Sequence, residues 1–117
     1  MAVENDARIR QLVELAAQDL AGGRAQEATL KIRQAASEAP NHPLVLNEVA
    51  RQRLQVGDWA AAHDLLQQVV KAEPSNPSCW LNLAAALRGL NKPDEEMAAL
   101  NEVLSLQPRN LQALFHV

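Results

Sequence analysis

The sequence predicts an all-α protein built as a stack of helix pairs, and three observations carry that reading. Alanine (21) and leucine (18) make up one third of the 117 residues, and both lose little rotamer freedom in a helix. Prolines recur at 40, 74 and 108, a spacing of 34 each time, and Pro43 and Pro77 repeat it. Gly23, Gly57 and Asn91 keep the same spacing. Between these marks the apolar residues follow a helical period. One period shared by several residue types marks an internal repeat. It divides a single domain, residues 1–117, into units 9–42, 43–76 and 77–110, with the start of a fourth at 111–117.

Each unit reads as two helices joined by a tight turn, and the spacing predicts helices over 5–21, 25–38, 43–55, 59–72, 77–90 and 93–106. In the first, Leu12, Leu15, Ala16 and Leu20 lie on one face. The same slots hold Leu46, Val49, Ala50 and Leu54 in the second unit, and Trp80, Leu83 and Ala84 in the third. A second stripe follows each turn: Ala28, Ile32 and Ala35, then Ala62, Leu66 and Val69, then Leu100 and Val103. Gly23 and Gly57 suit the left-handed position after a helix end, where a Cβ is costly. Asp58 and Asn76 are placed as N-caps, and Pro43 and Pro77 suit a first helical turn, which needs no N–H for its ladder. Pro40, Pro74 and Pro108 stop the helices before them.

Composition bounds the function. Scarce β-branched and aromatic residues argue against a β-sandwich or an α/β nucleotide fold, and one cysteine, Cys79, excludes an internal disulfide. Eleven basic against fourteen acidic residues give a formal charge of −3 with no basic run, which argues against nucleic acid as a partner. The N-terminus lacks the apolar core of a signal peptide. No stretch approaches the ~18 apolar residues of a membrane span. A cytoplasmic protein with no membrane contact is expected.

These residues resemble the tetratricopeptide repeat, a 34-residue unit with a W-x2-L-G/A-x2-Y, A-x3-F and P signature. The third unit shows Trp80, Leu83 and Ala84. The second shows Gly57-Asp58-Trp59 with Ala62, Leu66 and Pro74, and the first Leu15, Ala16, Ala28, Ile32 and Pro40. Glu96 stands in the alanine slot of the second helix, which predicts looser packing in the third unit; Asp19 and Arg53 replace the usual tyrosine. Pentatricopeptide repeats run 35 residues, and armadillo and HEAT units are longer. The resemblance implies a right-handed α-α superhelix (solenoid) of three helix pairs plus the start of a fourth first helix, with first helices lining a concave face. Trp80 is expected to anchor the core, at ~3–5 kcal/mol on truncation to alanine.

The residues carry little chemistry. His42, His63 and His116 fall in different units without a partner at ligand spacing, so no metal site, catalytic residue or cofactor is expected. His63 and Asp64 are helix neighbours, which point in different directions. Cys79, in a first helical turn, is read as a small, partly buried side chain. No phosphate loop, H-E-x-x-H motif or nucleophile elbow occurs.

The family resemblance implies a protein or peptide partner held in the groove of the first helices. By register that groove takes Arg10, Val13, Asn47, Arg51, Leu54, Leu81, Asn82 and Arg88. Arginine and asparagine there can fix a peptide backbone or carboxylate. Chaperone-binding members clamp a terminal carboxylate with lysines, asparagines and an arginine; the corresponding slots here hold Val13, Ala17, Glu48, Ser78 and Asn82, which argues against that role. Leu111, Leu114, Phe115 and Val117 begin an apolar helix without its partner, which predicts a longer chain or a homo-oligomer formed through this end. The run Trp80–Arg88, with Leu111 and Leu114 beyond it, is similar to repeats that precede bacterial aspartyl/asparaginyl β-hydroxylase-like and sulfotransferase-like domains. That similarity implies an appendage of a larger enzyme.

Overall fold

The structure, a computed structural model, describes residues 2–116 and the side chains of residues 5–115. Seven helices follow in order among the described residues: α1 (Ala2–Ala21), α2 (Ala25–Glu38), α3 (Pro43–Gln55), α4 (Trp59–Ala72), α5 (Pro77–Gly89), α6 (Pro93–Leu106) and α7 (Leu111–His116). The expected helices from α2 to α6 are reproduced to within one residue, and α1 begins three residues earlier than expected.

The 34-residue period is written in the backbone. Gly23 (φ 79°), Gly57 (φ 78°) and Asn91 (φ 60°) hold the left-handed conformation at the end of each turn. At all three, the next residue donates its N–H five residues back: Arg24 to Asp19 (2.7 Å), Asp58 to Arg53 (2.9 Å) and Lys92 to Leu87 (2.9 Å). This is the 6→1 bond that closes a helix end. Asparagine tolerates that conformation better than other residues with a Cβ, which explains Asn91 in a glycine slot. The longer turns repeat as well. His42, Asn76 and Asn110 donate to the carbonyls of Ala39, Glu73 and Gln107 at 3.1, 3.2 and 3.0 Å. Asp58 and Asn76 cap α4 and α5 by accepting from Ala61 (3.3 Å) and Ser78 (3.0 Å).

The chain divides into two compact units, Met1–Glu48 and Val49–Val117, with the boundary inside α3. In the first, α1 packs against α2. Ala16, Ala28 and Ile32 form a buried cluster with Val13 against it, and Ile9 and Ala35 are also buried. Small residues at 16 and 28 let the two backbones approach. In the second, α4 packs on α5, α5 on α6 and α6 on α7. Leu66, Val69, Cys79, Leu83, Ala84, Leu87, Ala99, Leu100, Val103 and Ala113 are buried.

Two expectations need correction. Cys79 is wholly buried, whereas Trp80 beside it is only partly so. The Trp80 indole N–H instead donates to the Pro74 carbonyl (2.8 Å), tying α5 to the turn before it. With part of its surface still in water, Trp80→Ala costs about 2–3 kcal/mol rather than the full price of a core tryptophan. His42, with no carboxylate at ligand spacing in the sequence, sets its Nε2 2.7 Å from Asp6 Oδ1 across 36 positions. His63 Nδ1 lies 3.6 Å from Asp64 Oδ1 although the two are neighbours. That is beyond hydrogen-bond range.

Candidate functional site

Each unit carries part of the residue set that the register selects. In the first unit, Arg10 is exposed and its Nε donates to Asp6 Oδ2 (2.8 Å), one turn back on α1. Val13 spends its apolar surface on the cluster of Ala16, Ala28 and Ile32. Asn47 is 3% exposed. It shares a buried face of α3 with Leu44, three residues before it, so its amide faces the protein interior and not solvent.

In the second unit, Arg51, Leu54, Leu81 and Asn82 are partly buried and Arg88 is exposed. Leu81 and Arg88 come together on one pocket of about 330 Å³. Leu81, Ala84, Ala85 and Arg88 on α5 form one wall, at the i, i+3, i+4 and i+7 spacing that stacks side chains on a helix face. Glu96 and Leu100 of α6, Trp59 of α4 and Gln112 of α7 supply the rest, with Gly89 beneath the tryptophan. Arg51, Leu54 and Asn82 are not part of this lining.

Gly89 makes the Trp59 wall possible. A Cβ at Gly89 would run into the indole, meeting Cγ, Cδ2 and Cε2. Without it, the ring lies against the last turn of α5 and keeps 36% of its surface open. Glu96 sets the polar edge. Its Oε2 accepts from Arg88 Nε at 2.9 Å, with the glutamate side chain 15% exposed and the arginine 54%. A charge in the alanine slot is thus tolerated because it is paired across α5 and α6. Leu83, Leu87, Ala99, Leu100 and Val103 remain buried in these two helices, so the looser packing expected from Glu96 does not open the core, and Glu96 lines the pocket.

Trp59, Gly89 and Glu96 are absent from the register-based set. Two of them left a signal in the sequence: a glutamate where the repeat wants alanine, and a glycine at a helix end outside the turn slot taken by Asn91.

Ion pairs also tie the helices of the first unit together. Asp19, in the tyrosine slot and 8% exposed, accepts from Lys31 Nζ and from Arg24 Nε (3.2 Å). The Lys31 bond holds the Asp19 carboxyl below the usual carboxylate range against its burial, with Arg24 helping. Arg8 and Glu38 pair across α1 and α2 (2.6 and 3.0 Å), which lowers the Glu38 carboxyl and raises the Arg8 guanidinium. Asp6 is lowered by Arg10 first and His42 second. The Leu44 N–H donates to His42 Nδ1 (3.1 Å), so the ring proton sits on Nε2, facing Asp6. Among the described residues, no three His, Cys, Asp or Glu side chains gather as metal ligands, and no helix is long and apolar enough to cross a membrane.

A helix-pair repeat with closing bonds every 34 residues defines an α-α repeat protein. The chain belongs to the tetratricopeptide repeat family, whose profile matches residues 53–115. No curated protein sequence matches it. Among solved structures, the first TPR domain of Spaghetti (RPAP3), bound to the HSP90 peptide SRMEEVD, is similar at TM-score 0.69 and 21% identity, over 93% of this chain and 86% of that one. The second TPR domain of human RPAP3, in complex with the HSP70 peptide SGPTIEEVD, gives 0.67 and 17%, over 96% and 93%. A Thermobaculum terrenum O-GlcNAc transferase mutant gives 0.72 and 21%, over 93% of this chain and 21% of that one. At such identities the likeness shows a shared fold.

Proposed function

We propose that the chain is a non-catalytic protein-interaction module that seats an apolar side chain of a peptide or protein segment in the pocket of the second unit. One observation carries this reading: Leu81 and Arg88, two residues of the expected groove, line a concave site walled by Trp59, Ala85 and Leu100. Binding sites combine such apolar walls with a few fixed polar groups, and tryptophan and arginine are enriched among the residues that carry most of the binding energy. Family membership and the peptide-bound neighbours of the same fold support it. Arg51, Leu54 and Asn82 would provide flanking contacts from the same unit.

Selection of a displayed random-peptide library on the full chain tests the proposal. Ala85 is exposed on the pocket wall, so Ala85→Trp fills the site. Selected peptides should lose about tenfold or more in affinity once the hot-spot cavity is filled, with helical content unchanged. Equal affinity for both proteins places binding elsewhere.

A second reading is favoured by α7, where Leu111, Leu114 and Phe115 are 65%, 48% and 83% exposed. We propose that this face drives self-association, since exposed apolar surface of this kind marks interaction sites. Sedimentation across a concentration series should show reversible dimers that Phe115→Ser and Leu111→Ser abolish. A monomer throughout removes the reading.

A further inference from the structure

The polar edge of the second-unit pocket has a direction. Arginine carries five N–H donors on two usable edges. Arg88 uses Nε, which donates to Glu96 Oε2. Among the described residues its two terminal amino groups have no other hydrogen bond or ion pair, and the side chain is 54% exposed. Glu96, at 15% exposure, is drawn in behind it. The pair is electrically balanced, so nothing there attracts a free cation. What stays open to solvent is the outer edge of a guanidinium already held in place beside apolar walls.

We propose that this pocket reads a carboxylate next to an apolar anchor. Its ligand is a peptide segment in which an aromatic or branched aliphatic residue adjoins an aspartate or glutamate. The anchor fills the space between Trp59 and Leu81, and the carboxylate takes the outer edge of Arg88 in a two-pronged bond. That geometry suits guanidinium and carboxylate better than any neutral pairing. Glu96 acts as a positioning residue. By holding Nε it reduces the ordering that Arg88 would otherwise undergo on binding, and its own charge tempers the affinity. Arg88 lies outside the slots of the terminal-carboxylate clamp, which Val13, Ala17, Glu48, Ser78 and Asn82 occupy. The carboxylate assigned to it in this proposal is a side chain's, within a segment. The inference rests on the pocket being the peptide site, and it adds the charge of the ligand.

The test uses the full chain and three defined probes, acetyl-Phe-Asp-Ala-amide and its Asn and Lys counterparts. Titrations are followed by NMR at the Gly89 amide and the Trp59 indole N–H. The Asp probe should bind about tenfold tighter than the Asn probe, the worth of one charge-assisted hydrogen bond, and the Lys probe weakest. Arg88→Gln should erase the Asp preference, and Arg88→Lys should restore part of it. Glu96→Gln keeps an acceptor for Nε and removes the competing charge, so it should tighten the Asp probe further. Equal binding of the Asp and Asn probes, a preference for Lys, or an Asp preference that survives Arg88→Gln overturns the inference. So does weaker Asp-probe binding in Glu96→Gln, or the absence of a saturable shift at Gly89 with any probe. Equal Asp and Asn binding with shifts at Gly89 leaves the pocket itself standing as a peptide site, which the Ala85→Trp comparison judges separately.

Discussion

The two units solve the same repeat in different ways. In Met1–Glu48 the pairing of α1 with α2 is laced by charges: Arg8 with Glu38, and Asp19 with Lys31 and Arg24. In Val49–Val117 the equivalent work falls on apolar side chains. The slot filled by Asp19 in the first repeat holds Leu87 in the third, and it is 3% exposed. One ion pair there, Arg88 with Glu96, stands at the wall of a pocket. A repeat can therefore keep its backbone while changing what holds its helices. Where it keeps a charge in an apolar slot, that charge becomes a clasp in one unit and part of a pocket wall in the other.

The largest effect should come from the apolar unit. Leu66, wholly buried on α4, leaves a cavity when cut back, so Leu66→Ala should lower stability by about 2–5 kcal/mol. Chemical denaturation checks this, and a loss below about 1 kcal/mol would deny the apolar character claimed for the unit. Gly89→Ala comes next. The added methyl meets the Trp59 ring, which must shift to admit it, at about 1–3 kcal/mol for an overpacked contact. The same substitution should move the Trp59 indole N–H resonance, and an unmoved resonance would mean that the ring does not lean on Gly89.

The smallest effect sharpens the contrast by pH. The carboxyls of Asp6, Asp19 and Glu38 all titrate below their ordinary values in the folded chain. Their contribution is thus fully present above the ordinary carboxylate range and is lost as pH falls through the lowered folded values. Amide exchange compared at pH 7 and pH 3 should show α1 and α2 losing protection before α5 and α6. Uniform loss along the chain would mean that charge does not distinguish the units. Added salt should act in the same direction, since these pairs are part-exposed and screened.

Much of the fold was legible because its signals are local. A left-handed residue after a helix, an asparagine or aspartate at an N-cap and a proline in a first turn act within five or six residues. The period then copies them at 23, 57 and 91, and at 40, 74 and 108. The structure places the residues chosen by register in different surroundings. Leu81 and Arg88 meet on the pocket, whereas Asn47 turned inward, because a helical slot gives a direction but not what the neighbouring helices cover.

The sequence by itself determined the helix pairs, their turns and the repeat family, since backbone closure depends on residues a few positions apart. Only the tertiary structure decided which charges meet. His42 reaches Asp6 across 36 positions, and Arg8 reaches Glu38 across 30. It alone set Trp59 on Gly89 and turned Glu96 from a packing fault into a pocket wall. Such contacts depend on how side chains from separate helices are aimed at one another, and the 34-residue period, common to every unit, holds no information on the places where units differ.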